Sequence, residues 1–207
     1  MSYSETTDFF NENGYIVVEN FLRKDMACLL YEYTKLKSRR AVFKEAYSPE
    51  LFNEKYDGLF EDKQAPGSYS LYGDPLMDAL LQNSTDFVSN VISKELIPTY
   101  SYWRMYTYGS YLKEHKDRNA CEISVTIHVD GDKHDWPIIV GNKEYFTKPG
   151  DAIIYLGKED SHSRKKFEGD FQTQIFLHYV DQEGPYKDFV YDKRIDVGVS
   201  NADYGVK

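Results

Sequence analysis

The pattern of hydrophobic and polar positions changes character near residue 98. Before it, apolar residues recur at helical spacing, and along the second predicted helix Met26, Leu29, Leu30 and Tyr33 form a stripe that is expected to lie in the core. Beyond it, short β-branched and aromatic runs separated by turn residues predict strands at 100–107, 122–129, 138–140, 145–147, 152–156 and 172–180. Helices followed by evenly spaced short strands predict a mainly β, α+β fold, in which helices flank an antiparallel barrel or sandwich.

The length of 207 residues fits one domain. We expect a helical and irregular N-terminal part at 1–97, with a short strand at 15–18, then a barrel core at 98–181 and a polar tail at 182–207. Within the first part, 41–74 shows no sustained period, so it is either a lid over a substrate site or poorly ordered. Its residues Tyr47, Tyr56 and Tyr69 are candidates for substrate contacts.

Composition narrows the class of protein. The hydrophobic fraction of 41% excludes a disordered chain, and nineteen tyrosines favour β-structure and amphipathic pockets. A formal net charge of −9 makes nucleic acid an unfavourable partner. The two cysteines predict no disulfide framework. With neither a signal-peptide pattern nor an apolar run of membrane-spanning length, we expect a cytoplasmic protein with no membrane partner.

The residues with the clearest chemistry are His115 and Asp117. Side chains two apart in a strand project to the same face, so this pair can hold one ion. A second histidine would complete a two-histidine, one-carboxylate triad that leaves positions open for substrate and oxygen. His162 is the candidate, because it follows a turn and an apolar strand at 149–156. A competing triad would use Asp132, His134 and His162, but it would rest on a predicted hairpin loop.

These motifs resemble those of the Fe(II)/2-oxoglutarate dioxygenases, near the prolyl 4-hydroxylase-like and phytanoyl-CoA-hydroxylase-like members. Tyr106-x-x-Gly109 followed by His115 and Asp117 is similar to the family's first ligand strand pair. Residues 149–162 resemble its second ligand strand, and 167–179 its closing strand. The opening at 14–22 is similar to the phytanoyl type. The resemblance implies a double-stranded β-helix, or jelly-roll, barrel.

It further implies that His115, Asp117 and His162 bind Fe(II), that 2-oxoglutarate chelates this iron, and that dioxygen takes a remaining site. The expected reaction hydroxylates an unactivated C–H of a small-molecule or peptidyl substrate while 2-oxoglutarate is decarboxylated to succinate. Asp117 matters here, because the family's halogenating branch lacks this carboxylate. Tyr106 is expected to face the barrel interior and contact the cosubstrate.

One position departs from the family pattern. Gln172 stands about ten residues after the distal histidine, where the family has the Lys or Arg that binds the far carboxylate of 2-oxoglutarate. A neutral amide supplies no charge assistance. Arg104, which shares a strand face with Tyr106, could replace the cation or could pair with a structural Asp or Glu. Arg164 is a second candidate, unless it is a loop residue pointing to solvent.

Two other functions stay open on the sequence. The absence of a cation at Gln172 would fit a cupin-like metal oxygenase that does not use 2-oxoglutarate. A tyrosine-rich barrel could also be a non-catalytic binding module. Arg118 either orients the Asp117 carboxylate or faces solvent. His128 and His178, in predicted strands, are expected to be packed rather than ligating.

Overall fold

The regular structure that the described residues form consists mainly of two antiparallel sheets and four α-helices. The computed structural model describes residues 3–60, 62–132 and 135–199. Its α-helices are α1 (Tyr3–Asn13), α2 (Lys24–Tyr47), α3 (Glu54–Asp57) and α4 (Pro75–Ile92). Its strands are β1 (Tyr15–Val18), β2 (Ser68–Tyr72), β3 (Leu96–Thr107), β4 (Leu112–His115), β5 (Ile123–Gly131), β6 (Ile138–Val140), β7 (Lys143–Tyr145), β8 (Ala152–Tyr155), β9 (His162–Arg164) and β10 (Phe171–Asp181). Short 3-10 turns lie at Pro49–Leu51, Asn119–Cys121 and Lys187–Lys193.

The larger sheet has the strand order β1-β8-β5-β10-β3-β2, and the smaller one β4-β9-β6-β7. All neighbouring strands pair antiparallel. This confirms the mainly β, α+β barrel that the sequence predicts. The predicted barrel boundary at 98 is too late, because β1 and β2 also belong to the larger sheet. The sequence analysis did not predict β2 or β9 as strands.

Strand β3 shows how the barrel separates two environments. Trp103 is fully buried in the core between the larger sheet and the helices. Tyr102 and Tyr106 point to the opposite face, into a second cluster with Trp136, Phe167 and Phe176. Because side chains alternate along a strand, Arg104 shares the face of Tyr102 and Tyr106. The predicted common face is therefore confirmed, and it is the interior of the barrel.

Helix α2 packs on the sheet through a different stripe from the predicted one. Leu30 is buried, but Met26 and Leu29 are 41% and 60% exposed. The buried face consists of Ala27, Leu30, Thr34 and Ala41. These side chains are mostly small, and they recur three, four and seven residues apart along the helix. The Met26 and Leu29 part of the predicted core was therefore wrong.

The segment 41–74 is more regular than predicted. Its first part continues α2 to Tyr47, and its last part is strand β2. Tyr47 and Tyr56 are exposed. Tyr69 is buried in the core, and its hydroxyl donates to the Asp57 carbonyl at 2.6 Å. Other residues of this segment, Asp62, Gln64 and Tyr72, line the cavity that also contains His115, Asp117 and His162.

Candidate metal centre and its cavity

Two neighbouring strands of the smaller sheet bring the histidines together. His115 is the last residue of β4, and it pairs in register with His162, the first residue of β9. Their ring centroids are 4.2 Å apart. Asp117 lies just past the end of β4, where its backbone N–H donates to the Gly157 carbonyl at 2.9 Å. The carboxylate is therefore positioned by the turn after the strand rather than by strand alternation.

The donor atoms of these three residues converge. Asp117 Oδ1 lies 3.4 Å from His115 Nε2 and 3.5 Å from His162 Nε2. One ligand atom from each residue lies within 4.8 Å of the others. The Nδ1 atoms face backbone carbonyls instead, of Lys113 at 2.7 Å and of Asp160 at 3.1 Å. A proton on each Nδ1 leaves the Nε2 lone pairs free for a metal ion, so the three residues fit a facial triad.

The charge state of Asp117 suits metal binding. Burial opposes ionisation of its carboxyl group, but the adjacent side chains of His115 and His162 outweigh burial and hold its pKa well below the usual range. The carboxylate is consequently ionised near neutral pH. Imidazole binds a metal in its neutral form, so with the Asp117 carboxylate the triad would bring one negative charge to a divalent cation.

Ser124 and Gly157, neither of them a candidate site residue from the sequence, hold Asp117 in place. The hydroxyl of Ser124 donates from Oγ to Asp117 Oδ2 at 2.8 Å. Ser124 Oγ also lies 3.0 Å from His178 Nδ1. A Cβ at Gly157 would collide with Ser124 Oγ and come within 2.5 Å of Asp117 Oδ2. The absence of a side chain at Gly157 therefore leaves space for the Asp117 carboxylate. No local sequence pattern marks this packing, because the contacts join separate strands.

A second group of potential ligands, Asp117, Cys121 and His178, shares its carboxylate with the first. Burial and the nearby Asp117 carboxylate raise the pKa of the Cys121 thiol to about 12. Metals bind the thiolate, so this cysteine is poorly suited as a ligand. Burial lowers the pKa of His178 to about 4, so its imidazole is neutral. His178 is packed, as predicted, and so is His128, whose Nδ1 faces the Thr147 carbonyl at 2.8 Å.

The triad opens into a cavity of about 260 Å³. Polar, charged and aromatic side chains from both sheets line it: Asp62, Gln64, Tyr72, Tyr100, Tyr102, Arg104, Leu112, His115, Asp117, Arg118, Ile138, Tyr155, His162, Phe176 and His178. This volume fits a small ligand or one end of a larger one. The predicted substrate contacts from Tyr47, Tyr56 and Tyr69 are not among these residues.

Arg104 lies in the cavity wall, paired with a carboxylate. Its Nε and Nη2 donate to Asp62 Oδ2 at 2.9 and 2.7 Å, and Nη2 also donates to Gln64 Oε1 at 2.9 Å. Burial works against its charge, but Tyr106, Tyr102 and Asp62 raise its pKa overall. Of the two expectations for Arg104, the structure bears out pairing with an acidic residue.

Arg164 has a different environment. It lies on strand β9 on the same face as His162, and it is 2% exposed, so the alternative of a loop arginine pointing to solvent is wrong. Its Nη1 donates to the Trp136 carbonyl at 2.8 Å, and its guanidinium carbon lies 4.8 Å from the centre of the Trp136 ring. Its Nε and Nη2 have no hydrogen-bond partner among the described residues. Burial lowers the pKa of Arg164 to about 10, so the guanidinium stays charged at neutral pH.

Other polar atoms near Arg164 are also without partners. Tyr106 is fully buried, and its hydroxyl makes no hydrogen bond with the described residues. Gln172 is buried as well; its Nε2 lies 3.1 Å from His128 Nε2, while its Oε1 is unpaired. Leaving several buried polar groups unpaired is costly, and such groups in a protein interior usually contact a ligand or ordered water. This end of the barrel is therefore suited to a polar ligand.

Arg118 does not contact the Asp117 carboxylate. It forms a bidentate pair with Asp192 at 2.5 and 2.6 Å, and its guanidinium stacks 4.5 Å from the Tyr100 ring centre. The expectation that Arg118 orients Asp117 is therefore wrong, and Ser124 makes that contact.

His134 of the competing triad lies outside the described residues. Among the described residues, no helix combines the length and apolarity needed to cross a membrane.

No protein-family model and no curated protein matches the chain. Among solved structures it is similar to a prolyl-4-hydroxylase from Pseudomonas putida, with 14% identity, a TM-score of 0.58 and coverage of 87% of this chain and 100% of that one. AviO1 from Streptomyces viridochromogenes has 13% identity and a TM-score of 0.65, over 89% and 97% of the two chains. HygX from Streptomyces hygroscopicus, solved with nickel and 2-oxoglutarate, has 13% identity and a TM-score of 0.60, over 86% and 87%. At these identities the likeness is one of fold, and the chain has the double-stranded β-helix fold of the prolyl 4-hydroxylase-like Fe(II)/2-oxoglutarate oxygenases.

Proposed function

We propose that the protein is an Fe(II)- and 2-oxoglutarate-dependent dioxygenase that hydroxylates an unactivated C–H. The observation that carries this proposal is the convergence of His115, Asp117 and His162 at one end of a cavity in a barrel of the oxygenase fold. A metal centre of this donor set keeps positions open for a chelating cosubstrate and for oxygen. The carboxylate at Asp117 favours hydroxylation over halogenation.

When bound, iron and 2-oxoglutarate supply the oxidising chemistry, in which dioxygen is consumed and succinate and carbon dioxide are released. The protein's own contribution is to bind and orient. Backbone carbonyls at Lys113 and Asp160 fix the two imidazoles, and Ser124 fixes the carboxylate. Such contacts to metal ligands set ligand orientation and metal affinity.

Arg164 is the residue we assign to the far carboxylate of 2-oxoglutarate, in place of Gln172. A buried cation without an anionic partner is unfavourable, and a carboxylate ligand would compensate it. Arg104 already has Asp62 for this purpose. The unpaired hydroxyl of Tyr106 would donate a second hydrogen bond, and Gln172 would act as a neutral neighbour. Arg164 is enclosed, so we expect 2-oxoglutarate binding to move a side chain of the cavity wall, such as Leu112.

The test is an anaerobic titration of the full chain, first with Fe(II) and then with 2-oxoglutarate, followed by measurement of succinate on exposure to oxygen. We expect one equivalent of each ligand to bind. Arg164→Met should weaken 2-oxoglutarate binding by about 10- to 100-fold, since a charge-assisted hydrogen bond contributes about 1.5 to 3 kcal/mol. It should leave Fe(II) binding unchanged.

Arg104→Lys is the matched control, because it alters the other buried arginine on the inner face of the barrel. If 2-oxoglutarate affinity falls in Arg104→Lys and not in Arg164→Met, the assignment of Arg164 is wrong. If iron binds in stoichiometric amounts but 2-oxoglutarate does not, the cupin-like oxygenase becomes the better hypothesis. Absence of stoichiometric metal would instead favour a non-catalytic binding module.

A further inference from the structure

Arg104 keeps one edge of its guanidinium free while the rest is fixed. Asp62 holds Nε and Nη2, and Gln64 takes the second N–H of Nη2. Asp62 itself accepts from Tyr102 Oη at 3.2 Å and from the Gln64 backbone N–H at 2.8 Å. The guanidinium carbon lies 4.9 Å from the Tyr102 ring centre and 5.5 Å from that of Phe176. The side chain is therefore pre-oriented before any ligand arrives.

The free edge is Nη1, which makes no hydrogen bond with the described residues. Nη1 is not fully enclosed by the protein, and Arg104 lines the cavity that holds the metal triad. Two N–H groups of a permanently charged side chain that lines this cavity are thus available to a ligand. Charged donors bind ionised oxygen acceptors more strongly than neutral ones.

The walls next to this edge are aromatic. Tyr100, Tyr102 and Phe176 line the same cavity. Burial raises the pKa of Tyr100 and of Tyr102, so both phenols are neutral at physiological pH. Such walls favour an apolar body, while Arg104 offers one fixed ionic contact. This combination of an apolar pocket with one well-placed polar group is typical of small-molecule sites.

We propose that the substrate is a small organic acid, whose carboxylate binds Nη1 of Arg104 and whose apolar body lies against Tyr102 and Phe176. This inference rests on the proposed function, since it places the substrate beside the metal triad. It divides the two buried arginines between two acids: Arg164 serves the cosubstrate and Arg104 serves the substrate. Arg118 also lines this cavity of about 260 Å³, but Asp192 holds both of its Nη atoms. The carboxylate class therefore follows from the one free Nη edge among the described arginines that line this cavity, that of Arg104.

The test compares acids with their isosteric amides. Calorimetric titrations would use 3-phenylpropionate against 3-phenylpropionamide and isobutyrate against isobutyramide, on the full chain loaded with Zn(II) and excess 2-oxoglutarate. At least one acid should bind about 10-fold or more tightly than its amide, as a charge-assisted contact predicts. The acid preference should disappear in Arg104→Gln. It should persist in Arg164→Met, in which 2-oxoglutarate affinity falls.

Arg104→Lys guards against a variant that fails to fold, because it retains a cation opposite Asp62 while removing the fixed Nη1 edge. We expect a reduced acid preference in this variant, with a near-UV circular dichroism spectrum like that of the wild type. Equal affinities for acid and amide in the wild type overturn the proposal. An undiminished preference in Arg104→Gln, or displacement of 2-oxoglutarate by the acids, overturns it as well.

Titrations of the metal-free chain separate this inference from the proposed function. An acid preference that depends on Arg104, in a protein that binds neither metal nor 2-oxoglutarate, would support the carboxylate site while refuting the dioxygenase. Metal and 2-oxoglutarate binding without any acid preference would support the dioxygenase while refuting the carboxylate site.

Discussion

The two buried arginines of the barrel interior differ in how their charge is compensated. Arg104 lies against Asp62 in the cavity wall, and the side chains of the pair are 8% and 10% exposed. Arg164 is equally buried, yet its contacts are a backbone carbonyl and an indole ring, and two of its nitrogens are unpaired among the described residues. Among the described residues a carboxylate compensates Arg104 and none compensates Arg164, which is why we assign Arg164 to an anionic ligand.

This difference separates an arginine whose charge is compensated within the protein, and which offers a ligand only its free Nη1 edge, from an arginine that depends on a ligand for compensation. A cation paired within the chain contributes to the folded state whether or not ligand is present. A cation left unpaired lowers stability until an anion binds, and it then contributes to affinity. We therefore expect the free energy of unfolding to fall much more when Arg104 loses its carboxylate partner than when the charge of Arg164 is removed.

The largest expected effect concerns the metal, on which both assignments depend. Asp117→Ala removes the carboxylate that both imidazoles face, so we expect loss of stoichiometric Fe(II) binding and of any succinate formation. Anaerobic equilibrium dialysis with metal analysis measures this directly. Asp188→Ala is the control, since this exposed carboxylate lies outside both the triad and the cavity. Full metal occupancy in Asp117→Ala would mean that the metal is bound elsewhere.

The next prediction compares the two arginine sites by the change in the free energy of unfolding when each is altered. Asp62→Ala leaves Arg104 buried without its carboxylate, and we expect the free energy of unfolding to fall by about 3 to 5 kcal/mol. Arg164→Met removes a charge that has no carboxylate partner in the part of the chain that the structure describes, so in the ligand-free protein we expect a change within about 1 kcal/mol, of either sign. Urea unfolding of both variants measures the contrast. A loss of several kcal/mol in ligand-free Arg164→Met would show that this arginine is structural.

The Arg104 pair also predicts a pH dependence. Burial opposes ionisation of Asp62, but Arg104 and backbone N–H groups lower its pKa below the ordinary value of 3.8. Its contribution to stability is therefore fully present above pH 3.8 and is lost as the pH falls through the lowered pKa of the folded state. Asp62→Asn should show a weaker loss of stability between pH 4 and pH 2.5 than the wild type. Parallel curves for the two proteins would contradict the pairing.

A smaller effect is expected at Gly157, which contacts neither arginine but shapes the space of the Asp117 carboxylate. Gly157→Ala should displace Asp117 or Ser124 and weaken Fe(II) binding by about 10- to 100-fold, the range found when groups that hold metal ligands are altered. Stability should change less than in Asp62→Ala. The same substitution at Gly141, where an added Cβ meets nothing within 4 Å, is a control for glycine replacement, although its positive φ adds local strain. An unchanged metal affinity in Gly157→Ala would show that the carboxylate has room to move.

The sequence allowed prediction of the fold and of the three metal-ligand candidates, because both are encoded locally. Strand periodicity located β5, β8 and β10 to within two residues at each end, whereas β3 begins four residues earlier than predicted. The spacing of His115, Asp117 and His162 matched a known motif. The partners of the arginines were not predictable in this way. Asp62 comes from an irregular segment 42 residues before Arg104, and the burial of Arg164 depends on Trp136, 28 residues away. Whether a charge is compensated depends on packing between distant segments, which no local pattern reports.

A third arginine gives the smallest expected effect and an intermediate case. Arg118 is paired with Asp192, but its side chain is 49% exposed, so solvent screens most of the attraction. Asp192 lies in a run of three non-glycine residues with left-handed backbone, Tyr191 to Lys193, and Tyr72 donates to its carboxylate at 2.5 Å. Asp192→Asn keeps the shape and should cost at most about 1 kcal/mol in urea unfolding. A loss as large as that of Asp62→Ala would mean that exposure does not separate these arginines, and that the contrast between Arg104 and Arg164 cannot be read from burial and pairing alone.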